Sequence, residues 1–313
     1  MASMLNRLSR SALHLASASV IAFAACTASA QTLPLWPHGT PEPPQTKEAE
    51  SSVDGTSPLY PGINVTRVSN VTVPTLALYP VPAGIKPTGS AVVVFPGGGY
   101  QRLAYTHEGV LPCQWFNQLG VFCAVAKYRV PWPQRYHDNL APLEDAQQAV
   151  RIVRSHAAEW HIDPHHIGVM GFSAGGHLSA DLSMHYDNDH VLSTPAAKDV
   201  LATITARPDF VILGYPAYLA VDPDQHTVDP NMVPTKDVAP TFIAAAENDK
   251  SYGNNSPVYY RALKDAGVSA SLVIFADGGH GFGLSPTGVT ASAFPTLLKD
   301  WLVFQKIIPA PSH

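Results

Sequence analysis

The chain has 313 residues, of which 46% are hydrophobic and 14% charged, with a formal net charge of −5. That balance bounds it at one large or two ordinary domains, supplies a sizeable core and excludes a disordered tail. There is no basic run, which excludes nucleic acid as a partner.

Taken in order, residues 1–30 read as an export signal peptide. Arg7 and Arg10 precede an apolar, Ala-rich run from Ala12 to Ala25, and Ala28-Ser29-Ala30 offers a cleavage site before Gln31. The run is too short and too rich in small residues for a membrane span. The mature chain is therefore expected in the periplasm or outside the cell. Phe23-Ala24-Ala25-Cys26 offers lipid anchoring at Cys26 as a second option, ranked below soluble export because Phe23 stands where a branched aliphatic is usual. With Cys26 removed, Cys113 and Cys123 remain. An oxidising compartment admits a disulfide between them, but two buried free thiols are the preferred reading.

Residues 31–62, rich in Pro, Ser, Thr and Glu, read as an extended lead-in over the surface that supplies little core. Residues 63–313 are assigned to one catalytic domain. It opens with two antiparallel-type strands, Ile63–Val68 and Thr75–Pro80. Ala91–Phe95 is a continuously apolar strand, buried on both faces, that runs into Pro96-Gly97-Gly98-Gly99-Tyr100. A helix at Thr106–Leu119 and a strand at Phe122–Tyr128 complete a βαβ unit, and Leu143–Trp160 follows with helical spacing. A strand from Ile167 breaks at Gly171 and continues as a helix from Ala174 to about His185. Further strands are expected at Asp209–Pro216, Thr241–Ala246 and Ser269–Phe275, with helices at Tyr259–Ala266 and Phe294–Ile308. Alternating strands and helices with buried strands imply an α/β fold: a mostly parallel central sheet covered by helices on both faces.

The chemistry gathers after the strands. Gly171-Phe172-Ser173-Ala174-Gly175, on a strand-to-helix bend, is the pattern of a nucleophile elbow, with Ser173 at a helix N-terminus where developing negative charge is favoured. His280, hemmed by glycines after the last strand, suits a proton acceptor near neutral pH. Asp249, after the preceding strand, suits the acid that orients it, with Glu247 as the rival. Gly98 and Gly99, with the N–H of Ala174, suit an oxyanion hole. Tyr100, Trp132 and Tyr215 are candidates for stacking on a sugar ring, as is Tyr218. His161, His165 and His166 lack the carboxylates or thiols that would complete a metal site, so no metal or cofactor is expected. His177, one turn past Ser173, is read as a packing or hydrogen-bonding residue.

Pro96-Gly97-Gly98-Gly99-Tyr100, Gly171-Phe172-Ser173-Ala174-Gly175-Gly176-His177-Leu178 and Gly279-His280-Gly281-Phe282 together resemble the secreted acetylxylan and feruloyl esterase-like (carbohydrate esterase) branch of the α/β-hydrolase family, over about residues 63–308. The resemblance implies the α/β-hydrolase fold. It also implies a serine esterase releasing acetyl or feruloyl groups from plant cell-wall polysaccharide such as xylan, with Ser173, His280 and Asp249 as its triad. Two departures stand out: Asn248-Asp249 where the family usually has two aspartates, and Pro96 where lipases place a histidine before the glycines. The alternatives are a peptidase or small-molecule ester or lactone hydrolase on the same triad, and a non-catalytic binding protein on the same fold. The sequence leaves the oligomeric state open.

Overall fold

The computed structural model describes residues 31–132, 140–187, 201, 203–221 and 226–310; the expected signal peptide, residues 1–30 with Cys26, lies outside the described residues. The main sheet has eight strands in the order β1-β4-β7-β5-β8-β9-β10-β11. These are β1 (Thr32–Pro34), β4 (Thr75–Tyr79), β5 (Ala91–Phe95), β7 (Phe122–Lys127), β8 (Ile167–Phe172), β9 (Val211–Gly214), β10 (Thr241–Ala246) and β11 (Ala270–Phe275). From β7 to β11 all neighbours are parallel, while β4 runs antiparallel to both β1 and β7. Among the described residues, five α-helices accompany them: α1 (Leu111–Gln118), α2 (Leu140–Ser155), α3 (Ala174–Met184), α4 (Asn255–Asp265) and, after the last strand, α5 (Phe294–Phe304).

The continuously apolar strands follow from this layering. Along β5, Ala91, Val93 and Phe95 face one apolar cluster with Ala146, Val150 and Val153 of α2, Leu178 of α3 and Leu263 of α4. Val92 and Val94 face the other, with Phe116 of α1 and Phe294, Leu298 and Trp301 of α5. Side chains alternate across a strand, so a sheet covered on both sides needs apolar residues at every position.

The register also aligns the carboxyl ends of the parallel strands. Phe95 pairs with Gly171, Phe172 with Gly214, and Ala246 with Phe275. The loops after β5, β8, β10 and β11 therefore leave the same edge of the sheet, the position at which open α/β sheets hold ligands.

The lead-in differs from expectation. Residues 32–34 form β1, the edge strand of the main sheet, and Leu35 and Trp36 are buried. Trp36 Nε1 donates to Asp145 Oδ1 at 2.7 Å. Asp145 and Glu144, in the second turn of α2, together with Glu42 of the lead-in, surround the buried guanidinium of Arg129. One cation meets three carboxyl groups there. Burial, followed by the neighbouring Glu42, pushes Glu144 well above the ordinary carboxylate range, which relieves the excess charge. The lead-in is thus fastened to α2 by contacts more than one hundred residues apart in the chain.

Three further differences stand out. The Ile63–Val68 strand is β3 (Val65–Ser69), which joins a separate small antiparallel sheet with β2 (Ser51–Gly55) and β6 (Arg102–Leu103). The Thr106–Leu119 helix begins as a π-helical turn, Thr106–Val110, and becomes α-helical only at Leu111. The wider turn immediately precedes Pro112, which has no N–H to donate. Cys113 of α1 and Cys123 of β7 form a disulfide, with Cα atoms 5.2 Å apart, where free thiols were preferred. The helix lies flat on the strand that follows it, and this brings the two Cβ positions within bridging reach.

Candidate active site

Ser173 sits between β8 and α3 with φ +52° and ψ −118°, a backbone conformation that strains any side-chain-bearing residue. Its N–H is held by Gly214 O at 3.0 Å. The flanking glycines are sterically required. A Cβ on Gly171 would overlap the Gly175 carbonyl, and one on Gly175 would overlap the Phe95 carbonyl. The elbow is folded too tightly for either to carry a side chain.

Ser173 Oγ lies 2.8 Å from His280 Nε2, and His280 Nδ1 lies 2.7 Å from Asp249 Oδ2. Asp249 Oδ1 accepts the N–H groups of Ser251 and Tyr252 at 2.9 and 3.0 Å. Burial opposes ionisation of Asp249, but the hydrogen bond and charge of His280 and these two N–H groups outweigh it and hold the carboxyl below its ordinary range. An ionised Asp249 accepts at Nδ1 and therefore fixes the imidazole proton there, leaving Nε2 free to accept from Ser173. Glu247, the rival acid, is exposed.

The loop after β5 passes beside the nucleophile. A Cβ on Gly97 would stand 2.9 Å from Ser173 Cβ. Gly98 and Gly99 take φ of +133° and +65°, and the Gly98 carbonyl turns away to accept Gln101 and Arg102 N–H. Ala174, the first residue of α3, has no intrahelical acceptor for its N–H. Gly97 thus brings this loop beside Ser173, and Ala174 follows Ser173 directly in the chain.

The aromatic candidates fare differently from expectation. Tyr100 is fully buried, with its hydroxyl 2.8 Å from His177 Nδ1. Burial pushes His177 down, so it stays neutral. Tyr215 is also buried: its hydroxyl donates to Glu108 Oε1 at 2.8 Å and accepts Gly283 N–H at 2.7 Å. Trp132 is buried in the core, and its backbone N–H donates to the Tyr100 carbonyl. None of the three offers a ring face to a sugar. The aromatic groups next to the site are Tyr218, itself buried at 8% exposure, whose hydroxyl stands 3.5 Å from where a Gly99 Cβ would lie, and the half-buried Tyr252, whose ring centroid is 5.0 Å from that of His280. Tyr218 stacks on Tyr100 and meets Tyr252 edge-on.

Two functional positions escaped the sequence. Asn248 Oδ1 accepts Gly279 N–H at 2.7 Å and so ties the acid loop to the histidine loop. Glu108, buried at 3% exposure, accepts Gly97 N–H at 2.7 Å as well as the Tyr215 hydroxyl. The sequence carries no signal for it, since Thr106-His107-Glu108-Gly109 reads as an ordinary polar helix start. Among the described residues, no cluster of His, Cys, Asp or Glu could hold a metal ion, and no helix is long and apolar enough to cross a membrane.

A family model described as the alpha/beta hydrolase fold matches residues 92–284, which contain the elbow, Asp249 and His280. The chain belongs to the α/β-hydrolase family. This α/β-hydrolase is 35% identical over 250 residues to an acetylxylan esterase of Xylanibacter ruminicola, a match covering 72% of this chain and 47% of that protein. It is 31% identical over 210 residues to endo-1,4-beta-xylanase B of Butyrivibrio fibrisolvens, covering 61% of this chain and 32% of that protein. The chain thus spans about half or less of the length of these relatives. Among solved structures, it resembles an acetyl ester-xyloside bifunctional hydrolase from Caldicellulosiruptor lactoaceticus. That match has a TM-score of 0.64 and 30% identity, over 90% of this chain and 98% of that one. An esterase from Thermogutta terrifontis with bound propionate matches with a TM-score of 0.61 and 26% identity, over 77% of this chain and 92% of that one.

Proposed function

We propose that this α/β-hydrolase is an exported serine esterase that removes acetyl groups from xylan. The observation that carries the chemistry is the unbroken relay from Ser173 Oγ through His280 to Asp249, with hydrogen bonds of 2.8 and 2.7 Å. The substrate class rests on likeness to proteins named acetylxylan esterase and acetyl ester-xyloside hydrolase.

Ser173 Oγ attacks the ester carbonyl carbon while its proton passes to His280 Nε2. Asp249 holds the imidazolium that forms, and the N–H groups of Gly98, Gly99 and Ala174 receive the oxyanion. The carbon–oxygen bond to the sugar then breaks, and the departing alkoxide takes the proton from Nε2. Water enters, gives a proton to the same nitrogen and attacks the acyl-serine. Its collapse returns the proton to Ser173 and frees acetate. Tyr218 and Tyr252, which lie beside Gly99 and His280, border the substrate in this reading.

The test is acid release from acetylated and feruloylated xylan, beside a chromogenic acetyl ester. Acetate is the expected product, and Ser173→Ala is expected to lower turnover by about 10⁴-fold or more. A folded Ser173→Ala protein with near-full activity refutes the nucleophile, and ferulate release without acetate refutes the acyl assignment. Export predicts a mature N-terminus at Gln31, readable by mass spectrometry of the secreted protein.

A further inference from the structure

The loops that carry the oxyanion donors and the imidazole are glycine-rich and have few side chains with which to hold themselves. Pro96 to Gly99 contains three consecutive glycines, and His280 lies within Gly278 to Gly283, where glycine occupies every other position except Phe282. Gly278, Gly279, Gly281 and Gly283 all have positive φ. Backbones of this kind are entropically costly to fix, so the contacts that fix them matter.

One buried group connects the two, directly on one side and through a tyrosine on the other. Glu108 Oε2 accepts Gly97 N–H at 2.7 Å, on the loop beside Ser173. Its Oε1 accepts the Tyr215 hydroxyl at 2.8 Å, and that hydroxyl accepts Gly283 N–H at 2.7 Å, on the loop that carries His280. The result is a continuous bridge from oxyanion loop to histidine loop: Gly97 N–H, carboxylate, phenol, Gly283 N–H. The Tyr215 ring packs edge-on against both His280 and Phe282, at 5.2 and 4.4 Å, so the phenol is seated between the two loops. A carboxylate suits the node because it is acceptor-only and takes both donations at once.

A carboxyl group buried beside the nucleophile loop is costly to desolvate, so its presence here calls for a compensating role. We propose that Glu108 is a positioning residue of the reaction. Through Gly97 on one side and Tyr215 on the other, it holds the oxyanion donors and His280 in register about Ser173. This rests on the serine esterase reading above. Glu108 touches neither substrate nor reacting atoms, and acts through the two loops.

The test is a cycle of Glu108→Gln, Tyr215→Phe and the double variant, in the full chain. Turnover is measured on a chromogenic acetyl ester, and each preparation is normalised by active-site titration with an organophosphonate. An amide at position 108 keeps one acceptor and loses the other, and Tyr215→Phe removes one hydroxyl while keeping the ring packed. Each single variant is expected to lower kcat per titrated site by about 10- to 100-fold with KM within about threefold, since misplaced donors act in the transition state and not in ground-state binding. The double variant is expected to lose little more than the worse single, because both cut the same bridge. Single-variant kcat within about twofold of wild type, or fully additive losses, overturns the proposal. Where Glu108→Gln does not fold, Tyr215→Phe alone decides by the same kcat and KM split. Wild-type turnover abolished by Ser173→Ala, with unchanged Glu108 and Tyr215 variants, leaves the esterase reading intact and sinks only the bridge.

Discussion

Asp249→Asn removes the orienting charge with almost no change of shape, and the structure dictates how the amide must sit. Asp249 uses both oxygens, Oδ2 for His280 Nδ1 and Oδ1 for the N–H groups of Ser251 and Tyr252. An amide has only one acceptor end. If its oxygen faces His280, its NH₂ confronts two backbone donors, and leaving both unpaired costs about 2–6 kcal/mol at about 1–3 each. The oxygen therefore stays with the backbone and the NH₂ faces the imidazole. His280 must then accept at Nδ1 and carry its proton on Nε2, the atom that should take the proton of Ser173. The base is lost although every heavy atom is in place. In the serine-protease template the same tautomer exchange costs about 10⁴ in kcat, or about 5.4 kcal/mol at about 1.36 per tenfold.

Steady-state hydrolysis of a chromogenic acetyl ester near neutral pH reads the effect. Asp249→Asn is expected to lose about 10⁴ in kcat with KM changed by less than about threefold. Glu247→Gln, which alters an exposed carboxylate two residues away, is expected to remain within about twofold. An Asp249→Asn enzyme that keeps more than about a tenth of wild-type kcat refutes the reasoning. A crippled Glu247→Gln would move the acid to that residue.

The Cys113–Cys123 bridge closes a loop of sequence separation 10. Replacing both cysteines by alanine is expected to cost about 3 kcal/mol in urea unfolding. Thiol labelling of the denatured, unreduced protein should find neither cysteine reactive, and two labelled thiols would restore the free-thiol reading. The depressed Asp249 carboxyl makes a contribution to stability that is complete above the unfolded value of about 3.9 and is lost as pH falls through the lower folded value. The stability of wild type relative to Asp249→Asn should therefore be flat from about pH 7 to 5 and shrink below about pH 4. A difference that grows with acidification contradicts this.

The parts of this protein that were legible early are those set by local sterics and periodicity. β5 and β10 begin and end where their apolar runs do, and β8 follows its run into the elbow. The order of elbow, acid loop and histidine loop was also readable, because each follows an apolar run that reads as a strand; β8 and β10 are buried throughout, whereas β11 closes the edge of the sheet and is only partly buried. The disulfide was misjudged because an even pair of cysteines carries no geometry. It is decided by how α1 lies on β7. The lead-in was misjudged because Leu35 and Trp36 are isolated apolar residues in a Pro-rich stretch, and their value depends on Asp145, far along the chain. Tyr100, Trp132 and Tyr215 looked like sugar platforms because an aromatic residue near a catalytic loop has the same sequence signature whether it faces solvent or the core.

The elbow itself is the clearest case of what the sequence determines alone. Gly171 and Gly175 permit a sharp bend, since a Cβ on Gly171 would overlap the Gly175 carbonyl of the same turn and one on Gly175 the Phe95 carbonyl of the neighbouring strand. The Gly-x-Ser-x-Gly pattern after an apolar run is short-range, so the bend is legible in the sequence. The register of the loops around Ser173 is not local. It is held by Glu108, Tyr215 and Asn248, whose partners lie eleven to more than one hundred residues away. Hydrogen bonds across such separations leave no periodicity in the sequence, so only the folded sheet, by bringing four loop ends to one edge, reveals which polar side chains hold the site together.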